Sequence, residues 1–237
     1  MLHFVDLIFL FMLFVVQPIY GSISYKKYLN GIAAGMEANR ISLYRQTVLL
    51  QWIALLVLLT AWFMLNRPMA DLGFIGSDTN EVLIGTVSMV IMLAGLIYGW
   101  QYVKRLTIDD KIKERESLGD LIHFLPQTQQ EFKTCIGVSI TAGIVEETIY
   151  RGFVLWALSL YMPLWMAVFV SSFAFGLAHS YQGLAGTVKV TCIGLVLAGL
   201  YVVTGSIWFP ILAHILFDIL QTASVRELFI ERTPAVT

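Results

Sequence analysis

The sequence predicts an all-α fold, a polytopic bundle of about seven membrane-spanning helices, and three observations predict it. Hydrophobic residues make up 58% of the 237 residues and charged residues only 13%, roughly half the charged share of a soluble domain. Apolar runs close to the ~20 residues needed to cross a bilayer recur along the chain. Its 15 Phe, 10 Tyr and 6 Trp suit lipid-facing surfaces and interfacial belts. A soluble domain with this composition could not keep its surface polar, and a net charge of −1 offers no electrostatic footprint for nucleic acid.

The expected spans are residues 2–20, 48–65, 82–103, 135–158, 163–179, 184–203 and 207–223. The first opens on His3 and Asp6 rather than on Lys or Arg, and no A-x-A-like site follows, so it reads as a retained span rather than a cleaved signal peptide. The loop after it holds Lys26, Lys27, Arg40 and Arg45. The loop between the third and fourth spans holds Lys104, Arg105, Lys111, Lys113, Arg115 and Lys133, whereas the loop between the second and third has only Arg67 with Asp71, Asp78 and Glu81. The positive-inside rule then places the N-terminus outside and the C-terminus, with Arg226 and Arg232, in the cytoplasm, in what is expected to be a bacterial inner membrane.

Residues 107–132 form the longest polar stretch. Leu118, Leu121, Ile122 and Leu125 recur there at helical spacing, which fits either a short interfacial helix before Pro126 or a solvated linker. The organisation expected is three N-terminal spans (1–106), this cytoplasmic linker (107–132), a core carrying polar residues (133–225) and a tail (226–237). No internal repeat is visible. Cys135 and Cys192 have no metal-ribbon or CxxC spacing and read as buried free thiols. His3 and His123 lie near segment ends and read as surface residues.

Six ionisable residues stand where a span should have none. Each such group costs roughly 2.5–3.5 kcal/mol near a helix centre, so a cluster requires partners or a watery cavity. Elsewhere the spans hold only Asp6 and Lys189, both near ends. Glu147 and Arg151 are spaced i, i+4 with the acid first, the favourable order for a pair on one helix face. Glu146 points about 100° away, so one carboxylate can be structural while its neighbour stays available for proton transfer. Phe175 and His179 share a face, as do His214 and Asp218, whose carboxylate can fix the imidazole tautomer or join it in binding a metal or water.

This set suits amide hydrolysis, with Glu146 as general base toward water and His179 holding the same water. His214 and Asp218 either stabilise the oxyanion or complete a metal site. Two His and a Glu are compatible with Zn2+, and a ligand set of Glu146, His179, His214 and Asp218 is conceivable, although no HExxH motif is present. No Ser–His or Cys–His spacing points to a covalent nucleophile. The same residues would also serve a non-catalytic scaffold or immunity protein that binds peptide in the cavity, or a small transporter with a proton path.

The ordered motifs Glu146-Glu147-x-x-x-Arg151, Phe175-x-x-x-His179 and His214-x-x-x-Asp218 resemble those of the CAAX protease and bacteriocin-processing (CPBP, or Abi) family. Leu125-Pro126, Ala142-Gly143, Gly152 and Leu72-Gly73-Phe74 also look typical of it, and the likeness spans roughly residues 118–221. The resemblance implies a helical intramembrane protease core acting on a peptide or membrane-anchored protein. It implies Glu146 and His179 as the water-activating pair, Glu147 and Arg151 as supports, His214 and Asp218 as further site residues, and Phe175 beside the substrate. The eukaryotic CAAX enzyme has Asn where this chain has Asp218, and an ionised Asp accepts hydrogen bonds but cannot donate them. A CAAX substrate is not favoured.

Overall fold

A spanning segment must satisfy its own backbone hydrogen bonds, and helices do so. The computed structural model describes residues 1–230, and among them there are eight helices and no strand. These are α1 (Phe4–Ala33), α2 (Arg40–Met64), α3 (Thr79–Arg105), α4 (Ile108–Ser117), α5 (residues 129–159), α6 (Leu164–Ala178), α7 (Gly183–Thr204) and α8 (Trp208–Phe229). Five segments are long and apolar enough to cross a membrane: α1, α2, α3, residues 180–204 containing α7, and α8. The apolar α6 is only 15 residues long, and α5 is long enough but carries Glu146, Glu147 and Arg151. All seven expected segments fall in these helices.

The apolar signal understates the first helix, which runs past residue 20 to Ala33 and takes Lys26 and Lys27 with it. Pro18 lacks the N–H for a regular helical bond, and a widened π turn at Met12–Val16 precedes it. The polar stretch is also helical, but not where its leucines suggest. The charged run Ile108–Ser117 forms α4, capped by Thr107, and a 3-10 turn follows at Gly119–His123. The buried Lys111 of α4 donates to the carbonyl of Glu227 at 2.7 Å, which satisfies the C-terminal end of α8. Cys192 is exposed rather than buried, and Cys135 is partly exposed. His3 is exposed and His123 is partly buried. Arg232 lies outside the described residues.

Helix α5 is the centre of the bundle, packed by α2 on one side and α8 on the other, while α6 pairs with α7. Glycines set two of these approaches. A Cβ on Gly143 would collide with the Ile215 side chain, so α5 and α8 meet backbone to backbone. A Cβ on Gly176 would collide with Thr191 and lie 2.8 Å from the Thr187 carbonyl, which brings α6 equally close to α7.

Each end of the bundle is tied separately. At the N-terminal end, Arg67 after α2 forms two hydrogen bonds to Asp6 of α1, at 2.7 and 2.6 Å. Its guanidinium lies 5.0 Å from the Trp62 ring and 4.7 Å from that of Trp156. The Ile207 N–H donates to the Gly73 carbonyl at 2.9 Å, joining the Leu72-Gly73-Phe74 turn to the start of α8. At the opposite end, three tyrosines donate to successive stretches of the linker: Tyr25 to the Asp120 carbonyl, Tyr28 to His123 and Tyr44 to Phe124. Arg40 pairs there with Glu131 at 3.3 Å. The basic loop residues gather at this second end.

The Asp6–Arg67 pair is almost fully buried (side-chain exposures of 4% and 13%), so removing one partner strands the other charge. Arg67→Ala is expected to cost about 3–5 kcal/mol, read as a lowered midpoint of unfolding in detergent, whereas exposed Lys113→Ala should move it by less than about 0.5 kcal/mol.

Candidate active site

The site grows from one irregular turn. After Glu147 the α5 backbone widens into a π segment, Thr148–Val154. The Leu155 N–H reaches back to the Tyr150 carbonyl, and Ser171 of α6 donates to the same carbonyl at 2.7 Å. Single π turns inside α-helices are frequent at functional sites. Here the irregular turn holds Arg151 while Glu147 stays within the regular helix above it.

Glu147 is fully buried. Its Oε1 accepts from Arg151 Nη1 at 2.8 Å and from His214 Nδ1 at 2.7 Å. Arg151 also donates to the Gly194 carbonyl of α7 at 3.2 Å and sits 4.4 Å from the Phe175 ring centre. One carboxylate on α5 thereby links α7 and α8, and charge-assisted bonds of this kind are the strong ones. Because an ionised carboxylate only accepts, His214 Nδ1 carries the proton. Nε2 is left turned toward Asp218 Oδ2, at 3.6 Å, and Glu146 Oε2, at 3.9 Å. The i, i+4 neighbour Asp218 therefore does not orient His214; Glu147, from another helix, does.

His179 follows the last residue of α6, and its Nδ1 is 2.9 Å from the Phe175 carbonyl. A carbonyl cannot donate, so Nδ1 carries the proton here too and Nε2 is the free nitrogen. Helical spacing along α6 does not by itself set the depth of His179 relative to α8. The Phe175 ring fixes it, with its centre 4.9 Å from His179 and 5.9 Å from His214. Both imidazoles thus flank one aromatic ring, and Asp218 Oδ2 stands 3.6 Å from His214 Nε2. Phe175 itself is only 2% exposed, so it acts through the side chains it separates rather than as an open wall for substrate.

Burial divides the six residues into two groups. Glu147, Arg151 and His214 are buried, whereas Glu146, His179 and Asp218 remain partly accessible. Gln51 of α2 donates to Glu146 Oε1 at 2.7 Å, leaving Oε2 on the side of His214. Beside it, Trp52 donates to Thr141 at 3.2 Å. On the other flank Tyr150 donates to Gln17 of α1 at 3.1 Å and packs 5.2 Å from Phe175. Sequence reasoning passed over Gln17 and Gln51. The signal available was a lone amide inside each of two otherwise apolar spans. Ser180 shares a 3.0 Å hydrogen bond with Ser22 of α1, so it ties the turn to α1.

Among the described residues no three His, Cys, Asp or Glu side chains are grouped to hold a metal ion. The Nδ1 atoms of both histidines are occupied by fixed acceptors, and Asp218 and Glu146 stand 3.6 and 3.9 Å from His214 Nε2. Metal-bound imidazoles commonly donate their other N–H to acceptors of this kind, so the two Nε2 atoms are the nitrogens that would face an ion, but among the described residues no third donor groups with them.

Residues 128–220 match the Rce1-like family model, described as type II CAAX prenyl endopeptidase Rce1-like. This part of the chain is similar to that family. The matched segment contains all six polar site residues, π turn included, and the likeness supports a membrane endopeptidase in general terms. No curated protein and no solved structure matches the chain.

Arg151 and Glu147 should be inseparable in stability. Arg151→Met leaves a buried carboxylate without its counter-charge and is expected to cost about 3–5 kcal/mol. Gln51→Leu, at the accessible edge, should cost no more than about 1.5 kcal/mol. Unfolding midpoints of the two variants in the same detergent check the contrast.

Proposed function

We propose that the protein is an intramembrane endopeptidase that hydrolyses a peptide bond in a membrane-associated or exported peptide with a water activated by Glu146. The observation that carries this reading is the pair of gaps around His214 Nε2, 3.9 Å to Glu146 and 3.6 Å to Asp218. Both are too long for direct hydrogen bonds and suit a bridging water.

Glu146 is the general base. The Gln51 amide holds one carboxylate oxygen and leaves the other to take a proton from water. The free Nε2 of His179 accepts a hydrogen bond from the other O–H, which the water keeps, and so aims the oxygen. As hydroxide adds to the scissile carbonyl, the negative charge on its oxygen needs a donor in place. His214 supplies it when Nε2 is also protonated, with Glu147 fixing the ring and Asp218 adding counter-charge. Glu146 then returns its proton to the leaving amine, so atoms and charge balance without a covalent intermediate. Glu147 and Arg151 never meet the substrate. In this reading the basic end of the bundle faces the cytoplasm.

Glu146→Gln keeps the shape and removes the base. It is expected to lower hydrolysis by about 10²–10⁴-fold with the unfolding midpoint unchanged. Comparing membrane and secreted peptide termini in cells carrying either form at equal abundance gives termini found only with the unaltered chain. Identical termini in both cells would overturn the assignment.

A further inference from the structure

A cavity of about 690 Å³ lies at the basic end of the bundle, between α1, the linker and the turn that follows His179. Its lining includes Ser22, Tyr25 and Lys26 of α1, Asp120 of the linker, Tyr181 of the turn and Lys189 of α7. Tyr181 lines this cavity and also packs against His179. Its ring centre is 6.0 Å from that of His179, and its phenol feels the charges of Glu146 and Asp218. On the far side it meets Tyr25 at 5.3 Å and Phe124 at 6.2 Å.

Lys189 stands deeper than its exposure suggests. Gly176 of α6 packs against Thr187 and Thr191, so Lys189 between them is level with Phe175 and Gly176. A lysine at that depth costs free energy unless its ammonium reaches polar surroundings. The cavity provides them. Among the described residues neither Lys26 nor Lys189 has an ion-pair partner, and neither does the Asp120 carboxylate. The lining therefore carries two unpaired cations against one unpaired anion, with hydroxyl groups between them.

We infer that this cavity is an anion subsite that binds a carboxylate of the peptide substrate through Lys26 and Lys189, beyond Tyr181 from the bond to be cleaved. The inference rests on the endopeptidase reading for its occupant. A peptide running out of the pocket toward the basic end passes over the turn at Ser180–Gln182 and reaches this cavity next. The packing of Tyr181 against His179 favours such a peptide over a lipid headgroup. Asp120 opposes the acid and sets a limit on affinity.

The test uses the full-length chain carrying Glu146→Gln in phosphatidylcholine nanodiscs, with a random-sequence peptide library as the probe and mass spectrometry of the retained peptides as the readout. Asp and Glu are expected to be enriched about fivefold at one register position. Adding Lys26→Gln and Lys189→Gln should return that position to background, and Lys26→Glu with Lys189→Glu should select Lys and Arg instead. Both lysines are exposed, and unchanged unfolding midpoints confirm that the variants fold. No acidic enrichment, or enrichment that survives the paired Gln variant, overturns the subsite. In parallel nanodiscs doped with phosphatidylglycerol, lysine-dependent enrichment of that lipid around the chain without peptide also overturns it. Digesting the library with the unaltered chain separates the two ideas. Acidic enrichment without any cleavage upholds the subsite and defeats the endopeptidase reading, while cleavage with no lysine-dependent preference defeats the subsite alone.

Discussion

One buried carboxylate organises the molecule. Glu147 has no exposure to solvent, and among the described residues its hydrogen-bond partners are Arg151 on its own helix and His214 on α8. In a low-dielectric interior such a network is stabilising only when its members are paired, and the loss of one leaves the others stranded. The arrangement therefore demands a close approach of α5 and α8, which Gly143 permits, and a fixed Arg151, which the π turn provides. Everything chemical about the site follows from the result: His214 cannot rotate, and its Nε2 faces the pocket.

The division between adjacent acids has the same origin. Glu146 and Glu147 are neighbours in sequence but point in different directions, and helical geometry sends one into the α5–α8 seam and the other toward α2. Glu147 becomes part of the scaffold, whereas Glu146 meets the Gln51 amide and stands 3.9 Å from His214. Two identical functional groups acquire different work from their surroundings alone, the general way in which one site separates a structural acid from a reactive one.

Much of this was legible in the sequence because charge in a membrane span is costly and must have a reason. The seven apolar segments, the Glu147–Arg151 pair and the separate direction of Glu146 all follow from period and spacing. What spacing could not supply is contact between helices. His214 looked like the partner of Asp218, four residues on, yet Glu147 from α5 holds its Nδ1. Gln51 and Gln17 come from helices that carry no motif, and only packing brings Gln51 to Glu146. The Lys26 and Lys189 side chains are more than 160 positions apart in the chain, so no local pattern could have joined them. The first helix outran its apolar signal because residues 21–33, poor in strong helix formers, are held against the linker through Tyr25 and Tyr28.

The most direct test of the account is the protonation of His214, read by nitrogen-15 solid-state NMR on histidine-labelled protein in lipid, with His214→Gln to assign its resonances. The account predicts a protonated Nδ1 hydrogen-bonded to a carboxylate, and a change in that signal when Glu147 is replaced by Gln. An unprotonated Nδ1, or one indifferent to Glu147, would contradict the claim that this buried acid sets the catalytic geometry.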